Sequence, residues 1–129
     1  MVISFDNFKL QDDGPIYQQI LLYIKRGIVA GTIKNWDELP SRRVLSALLG
    51  VNPNTVQKAC KMLEEEGLIA STAGSKSVMS LTSEKVEAIR AELVEADAKG
   101  AVMKLRMMGL SKEEAKGLLD KYWESEDSI

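Results

Sequence analysis

The chain has 129 residues, room for one ordinary domain or a small domain with an appendage, and its 45% apolar content is enough for a real core. No apolar run approaches the ~20 residues that cross a bilayer, and the absence of histidine removes the commonest general base and metal ligand. The net charge of −2 divides unevenly, with net +1 over residues 1–80 and net −3 over residues 81–129, so any binding to nucleic acid must come from a local face of the first part.

Residues 1–13 mix apolar and polar types and read as an extended arm; they lack the basic start and apolar stretch of a secretory leader, which points to a cytoplasmic protein. Asp13-Gly14-Pro15 is a turn, and Pro15 suits the start of a helix. Ile16, Ile20, Ile24 and Ile28 then recur at helical spacing until Gly31. Trp36, expected to pack rather than bind, leads to Leu39-Pro40 and a short second helix over Ser41–Leu49, with Val44/Leu45 and Leu48/Leu49 as its apolar pairs. Gly50 stops it. A third helix opens at Val51-Asn52-Pro53, where Asn52 can cap free amides, Pro53 takes the first turn and Val51 can staple onto Val56; Gly67 ends it. Two short segments, Leu68–Thr72 and Lys76–Leu81, flank Ala73-Gly74-Ser75 and predict a β-hairpin. One long helix follows from Ser83 to about Met108, broken at Gly109. Ser111-Lys112-Glu113-Glu114 is a capping box for a last helix carrying Ala115, Leu118, Leu119 and Tyr122 on one face, before an acidic tail expected to fray.

Three helices followed by a hairpin predict a mainly α fold with a small β-wing, a winged helix-turn-helix over residues 1–80, with a two-helix dimerisation segment over residues 81–129. The tight Gly50-Val51 turn between helices two and three is what a helix-turn-helix requires, and the second helix of such a unit enters the major groove by its N-terminal end. On that helix Val56, Ala59, Cys60 and Leu63 follow i, i+3, i+4, i+7 spacing and form the stripe to be buried. Asn54, Thr55, Gln57, Lys58 and Lys61 remain outside it. Asparagine and glutamine can pair with adenine, threonine can meet a thymine methyl, and lysine suits phosphate or guanine. Arg42 and Arg43, at the start of the second helix, suit phosphates. Cys60, alone in the chain, excludes an internal disulfide and a cysteine-rich zinc site, and its place on the stripe predicts a small core residue. No catalytic motif, metal site or cofactor motif is present, so an enzyme is not expected and no cofactor is expected.

The stretch from Pro15 to Ile69 resembles the GntR family and, within it, the YtrA-like group with short C-terminal segments. The resemblance rests on Pro15-Ile16-Tyr17-Gln18-Gln19-Ile20, Ile28-x-x-Gly31, Leu39-Pro40-Ser41-x-Arg43, the run from Leu48-x-Gly50-Val51-Asn52-Pro53-Asn54-Thr55-Val56-Gln57-Lys58-Ala59, and Glu65-x-Gly67-Leu68-Ile69. It implies a winged-helix homodimer that binds a palindromic double-stranded DNA operator, often near genes for a membrane transporter. Arg43 matches the family arginine that contacts DNA near the start of the second helix, and Asn54, Thr55 and Gln57 match its recognition-helix contacts. Asn52 adjoins them in the same matched run. Two departures stand out. The family wing usually carries a basic residue before Gly-x-Gly-Thr, whereas this chain has Ala73-Gly74-Ser75-Lys76-Ser77, leaving Gly74 and Lys76 as the wing candidates. The family's Pro-Gly-Asp turn is here Asn35-Trp36-Asp37.

Along the long helix Val86, Ile89, Leu93, Ala96, Gly100, Met103 and Met107 alternate steps of three and four, a heptad seam. A second stripe, Val94, Ala98, Ala101, Val102, Leu105 and Met108, faces elsewhere. One helix with two apolar faces needs two partners: the last helix can cover one, and a second copy of the chain is the economical partner for the other. The sequence therefore predicts a DNA-binding transcription regulator, a repressor, acting as a homodimer without a membrane segment and with any small-molecule effector unspecified. The alternative is a winged-helix protein-interaction module that does not bind DNA.

Overall fold

A computed structural model of the chain describes residues 1–12, 14–71 and 76–125. Pro15, extended at φ −61° and ψ 142°, launches helix α1 (Ile16–Ala30), and Gly31 closes it in the left-handed conformation. The predicted periodicity is the buried one: Ile20, Leu21, Ile24 and Ile28 face inward. Lys25 is buried with them, its ammonium 2.7 Å from a Glu66 carboxylate oxygen, so the charge does not enter the core unpaired. Gly27 is needed for space, since a Cβ there would come within 2.5 Å of the Ile33 side chain.

Helix α2 (Arg42–Leu49) is capped by Ser41, whose hydroxyl accepts from the Val44 amide at 3.2 Å. Only Leu45 of this helix is fully buried. Val44 and Leu48 stay exposed, so the expected pairing of Val44/Leu45 and Leu48/Leu49 on one inward face is corrected: an eight-residue helix packed on one side covers a single turn-to-turn row. Helix α3 (Pro53–Glu65) packs against both α1 and α2 through Val56, Ala59, Cys60 and Leu63, all buried.

The hairpin is β2 (Ile69–Ser71) with β3 (Ser77–Met79), antiparallel with Ala70 opposite Val78. The connection before α2 also holds a strand, β1 (Glu38–Leu39), which pairs with the far side of β3 and gives a three-stranded antiparallel sheet in the order β1-β3-β2. Two residues carry too little alternation to announce a strand. The N-terminal segment is also more than an arm. Val2 bridges to Glu38 in parallel, Ile3 donates its amide to the Glu38 carbonyl at 2.8 Å, and Ile3 and Phe5 are buried. Phe5 stacks on Tyr23 at 5.1 Å between centroids, Phe8 meets the same ring edge-on, and the Tyr23 hydroxyl donates to the Ser4 carbonyl at 2.8 Å. Burial, and next the charge of Asp6, push the Tyr23 phenol above its ordinary value, so it remains a donor.

The chain divides into two compact units, Met1–Arg90 and Ala91–Ile129. Helix α4 (Ser83–Met107) begins in the first and continues into the second. Its first turns belong to the winged-helix unit: Lys85 donates to the Gly67 carbonyl at 2.6 Å and the Ser80 carbonyl at 3.1 Å, and Ile89 is buried. In the second unit helix α5 (Lys112–Trp123) starts with the predicted capping box between Ser111 and Glu114, and no α5 residue is buried. Among the described residues no helix is long and apolar enough to cross a membrane, and no acidic or cysteine cluster could hold a metal ion.

Candidate nucleic-acid interface

The α2–α3 unit is fixed by its turn. Gly50 adopts φ 65°, a left-handed geometry that a residue with a Cβ enters at a cost, and the Ser46 hydroxyl donates to the Val51 carbonyl at 2.6 Å across the corner. Asn52 then accepts from the Asn54 amide at 2.8 Å through Oδ1, and Pro53 occupies the first turn. The Asn52 side-chain oxygen is thereby engaged as a helix cap.

At 100° per residue Asn54, Gln57, Lys58 and Lys61 share one side of α3, roughly 180° from the Val56, Ala59, Cys60 and Leu63 stripe. The first four are exposed and the second four buried. Thr55 sits on the flank, half-buried. This opposition is what a groove-entering helix needs: an apolar back that fixes its pose and a polar front with donors, acceptors and cations. Arg43, in the first turn of α2, is exposed as well.

The remaining predicted cations have protein partners. The Arg42 guanidinium lies 3.1 Å from Glu64, ten residues beyond Asn54 and therefore about 15 Å further along the helix axis. It also neighbours Cys60, whose thiol is pushed above its ordinary value by burial, an effect the Arg42 charge partly opposes. A buried thiol held in its neutral form behaves as a small apolar residue. Lys76 lies 4.0 Å from Glu38. Lys58 keeps its ammonium 4.0 Å from the centroid of the Tyr17 ring. Gly74, with the rest of the wing turn, lies outside the described residues. Of the acidic run that closes α3, Glu64 is matched by Arg42 and Glu66 by Lys25, so the carboxylates are partly neutralised within the fold.

Trp36 departs from expectation. Instead of packing it is 71% exposed, on a backbone with φ 73°, while its amide donates to the Met79 carbonyl at 3.0 Å. The sheet edge dictates that geometry: the turn must offer its amide to β3, and the left-handed residue sends its side chain outward. The partnership of Tyr17 with Lys58 was not read from the sequence, because the contact joins α1 to α3 across 41 positions and no local pattern announces it.

Along the predicted seam, Ile89 and Leu93 are buried and Val86 is half-buried within a single chain. From Ala96 onward the seam opens: Ala96, Met103 and Met107 are exposed and Gly100 is half-buried. On the second stripe Val94, Val102 and Met108 are exposed, as are Leu118, Leu119, Tyr122 and Trp123 of α5.

Residues 16–77 match the bacterial regulatory proteins of the gntR family. Over 66 residues the chain is 44% identical to the HTH-type transcriptional repressor YtrA of Bacillus subtilis (strain 168), covering 51% of this chain and 51% of that protein, so it spans about half the length of this curated relative. It is 30% identical over 106 residues to the HTH-type transcriptional regulator YhcF of the same organism, covering 82% of this chain and 88% of that one. Among solved structures, a GntR family transcriptional regulator from Listeria monocytogenes is similar with a TM-score of 0.73 and 30% identity, covering 87% of this chain and 98% of that chain.

Proposed function

The chain belongs to the GntR family of bacterial regulatory proteins, and from that premise we propose that it is a cytoplasmic transcriptional repressor that binds a palindromic DNA operator as a homodimer. The observation that carries the DNA-binding reading is the opposition on α3: Asn54, Gln57, Lys58 and Lys61 stand exposed across the helix from its buried stripe, just beyond a capped N-terminus. In this reading Asn54, Thr55 and Gln57 read base edges, while Arg43, Lys58 and Lys61 hold phosphates. Arg42 keeps its partner Glu64, and Lys76 stands at the base of the wing. The exposed seam from Ala96 to Met107 is the surface on which the second copy packs, so residues 91–129 supply the dimer. The repressor reading follows YtrA, which carries that name.

Selection of bound fragments from genomic DNA, followed by anisotropy titration of the selected duplex, tests the reading. Specific binding should weaken with salt at a log–log slope of about −5 to −7, from three or four cationic contacts in each half. Arg43→Ala should weaken every duplex alike, whereas Gln57→Ala should cost about 1–3 kcal/mol at one base pair and leave the others unchanged. A chain that retains no duplex at low salt is a protein-interaction module instead.

A further inference from the structure

The cations near α3 are held in two different ways. Arg42 and Lys76 sit near carboxylates, Glu64 at 3.1 Å and Glu38 at 4.0 Å, whose opposite charge competes with a phosphate for them. Lys58 sits over an uncharged ring, with Nζ 4.0 Å from the Tyr17 centroid. A ring face attracts the ammonium through its quadrupole while leaving the full charge in place for a third partner. We propose that Tyr17 is a positioning residue for DNA binding: it holds the Lys58 ammonium beside Asn54, pre-set to meet a phosphate. The inference rests on the DNA-binding reading of α3 and adds to it a residue from α1.

The supports of the ring are on the page. Tyr17 lies in the first turn of α1, one turn before Ile20 and Leu21, which are buried, so the ring stands on an anchored helix. Its hydroxyl accepts from the Gln18 side-chain amide at 3.4 Å, a second restraint on the ring. Lys58 is one turn after Asn54, on the exposed side of α3. A free lysine at this position would spread over many rotamers, and ordering it on contact with DNA would subtract from affinity. The ring does that ordering before the DNA arrives.

A double-mutant cycle on the selected genomic duplex tests this, using Tyr17→Leu, Tyr17→Phe, Lys58→Ala and Tyr17→Leu/Lys58→Ala in the full chain. Tyr17→Leu should weaken binding about threefold, and Tyr17→Phe, which keeps the ring face, should stay close to wild type. Lys58→Ala should weaken binding and make the salt slope shallower by about 1 for each half-site. In the Lys58→Ala background Tyr17→Leu should have no further effect, because nothing is left to position. Equal losses from Tyr17→Leu in both backgrounds, or no loss in either, overturn the proposal. Should Tyr17→Leu fail to fold, proton NMR of the DNA-free wild type decides: the Lys58 ε-methylene protons should be shifted upfield by the ring, and ordinary shifts overturn the proposal. A wild type that binds no duplex removes the DNA-binding reading together with this one, whereas tight wild-type binding with a flat cycle removes only the role of Tyr17.

Discussion

The two units of the chain use their apolar residues in opposite ways. In Met1–Arg90 the stripes of α1 and α3 are consumed within the chain: Ile24, Val56, Ala59 and Leu63 have no exposed surface, and even the N-terminal segment contributes Ile3 and Phe5. In Ala91–Ile129 the same residue types remain largely uncovered, with Met103 61% and Leu119 55% exposed and no buried residue on α5. Helical periodicity is equally regular in both. What differs is the number of elements available to pack: three helices and a sheet can enclose a core, whereas the end of one helix and a short second one cannot. The first unit thus closes a core of its own, whereas the second leaves an apolar surface open, the surface on which the proposed second copy would pack.

The sharpest way to break this contrast is to truncate one leucine in each unit. Leu63→Ala should destabilise the first unit by about 2–5 kcal/mol at any protein concentration, because the cavity lies inside a single chain. Leu119→Ala should cost well under that in a dilute monomer, with a cost that appears only as the concentration rises and the dimer forms. Urea denaturation at two concentrations a hundredfold apart separates the two. Equal, concentration-independent losses would mean that α5 is covered within its own chain.

Next in size is the loss of the proposed dimer. Met103→Glu places a carboxylate on the open part of the seam, and two such charges facing each other across a twofold contact should separate the subunits. Operator affinity should fall by about 100-fold as bivalent attachment is lost. Far-UV circular dichroism should still report a folded winged-helix unit, with sedimentation velocity reporting a monomer. Leu93 is the poorer site for this experiment, since it is already buried in the single chain and a glutamate there would disturb the fold as well as any assembly. A Met103→Glu protein that remains a tight dimer would move the contact to the Val94–Met108 stripe or to the winged-helix unit.

The contrast also explains what could be read from the sequence. Helices α1, α3, α4 and α5 were legible because each carries local punctuation: Pro15 and Gly31, Asn52-Pro53, Gly109, and the Ser111–Glu114 box. The buried stripe of α3, and with it the exposed face opposite, followed from spacing alone. Strand β1, the docking of Ile3 and Phe5, and the Lys58–Tyr17 contact were not legible, since each depends on a partner distant in sequence. Trp36 differs from its expectation for another reason: its indole suggests burial, but its backbone is left-handed and bonded to β3, and the side chain stands exposed. Where a tertiary requirement competes with residue type, the requirement decides.

The smallest expected effects belong to Cys60, and they test whether the first unit is closed on its own. Cys60→Ala should cost about 1 kcal/mol, the value of one small buried group, and leave operator affinity within about twofold, because the thiol lies on the buried stripe, opposite the exposed polar side proposed to meet DNA. In the wild type a thiol reagent should label Cys60 only when the unit opens locally. Burial raises the thiol above its ordinary value in the folded state, despite the opposing charge of Arg42, so the folded form retains its proton where an exposed cysteine would already have lost it. Labelling through opening should therefore rise about tenfold per pH unit and keep rising past the ordinary thiol value, because above it the open form gains stability by losing its proton. The rate should also be the same at every protein concentration and the same in Met103→Glu, because opening the first unit does not require parting the second. A labelling rate that rises when the dimer is broken would show that the winged-helix core depends on assembly, and the two units could then no longer be regarded as independent.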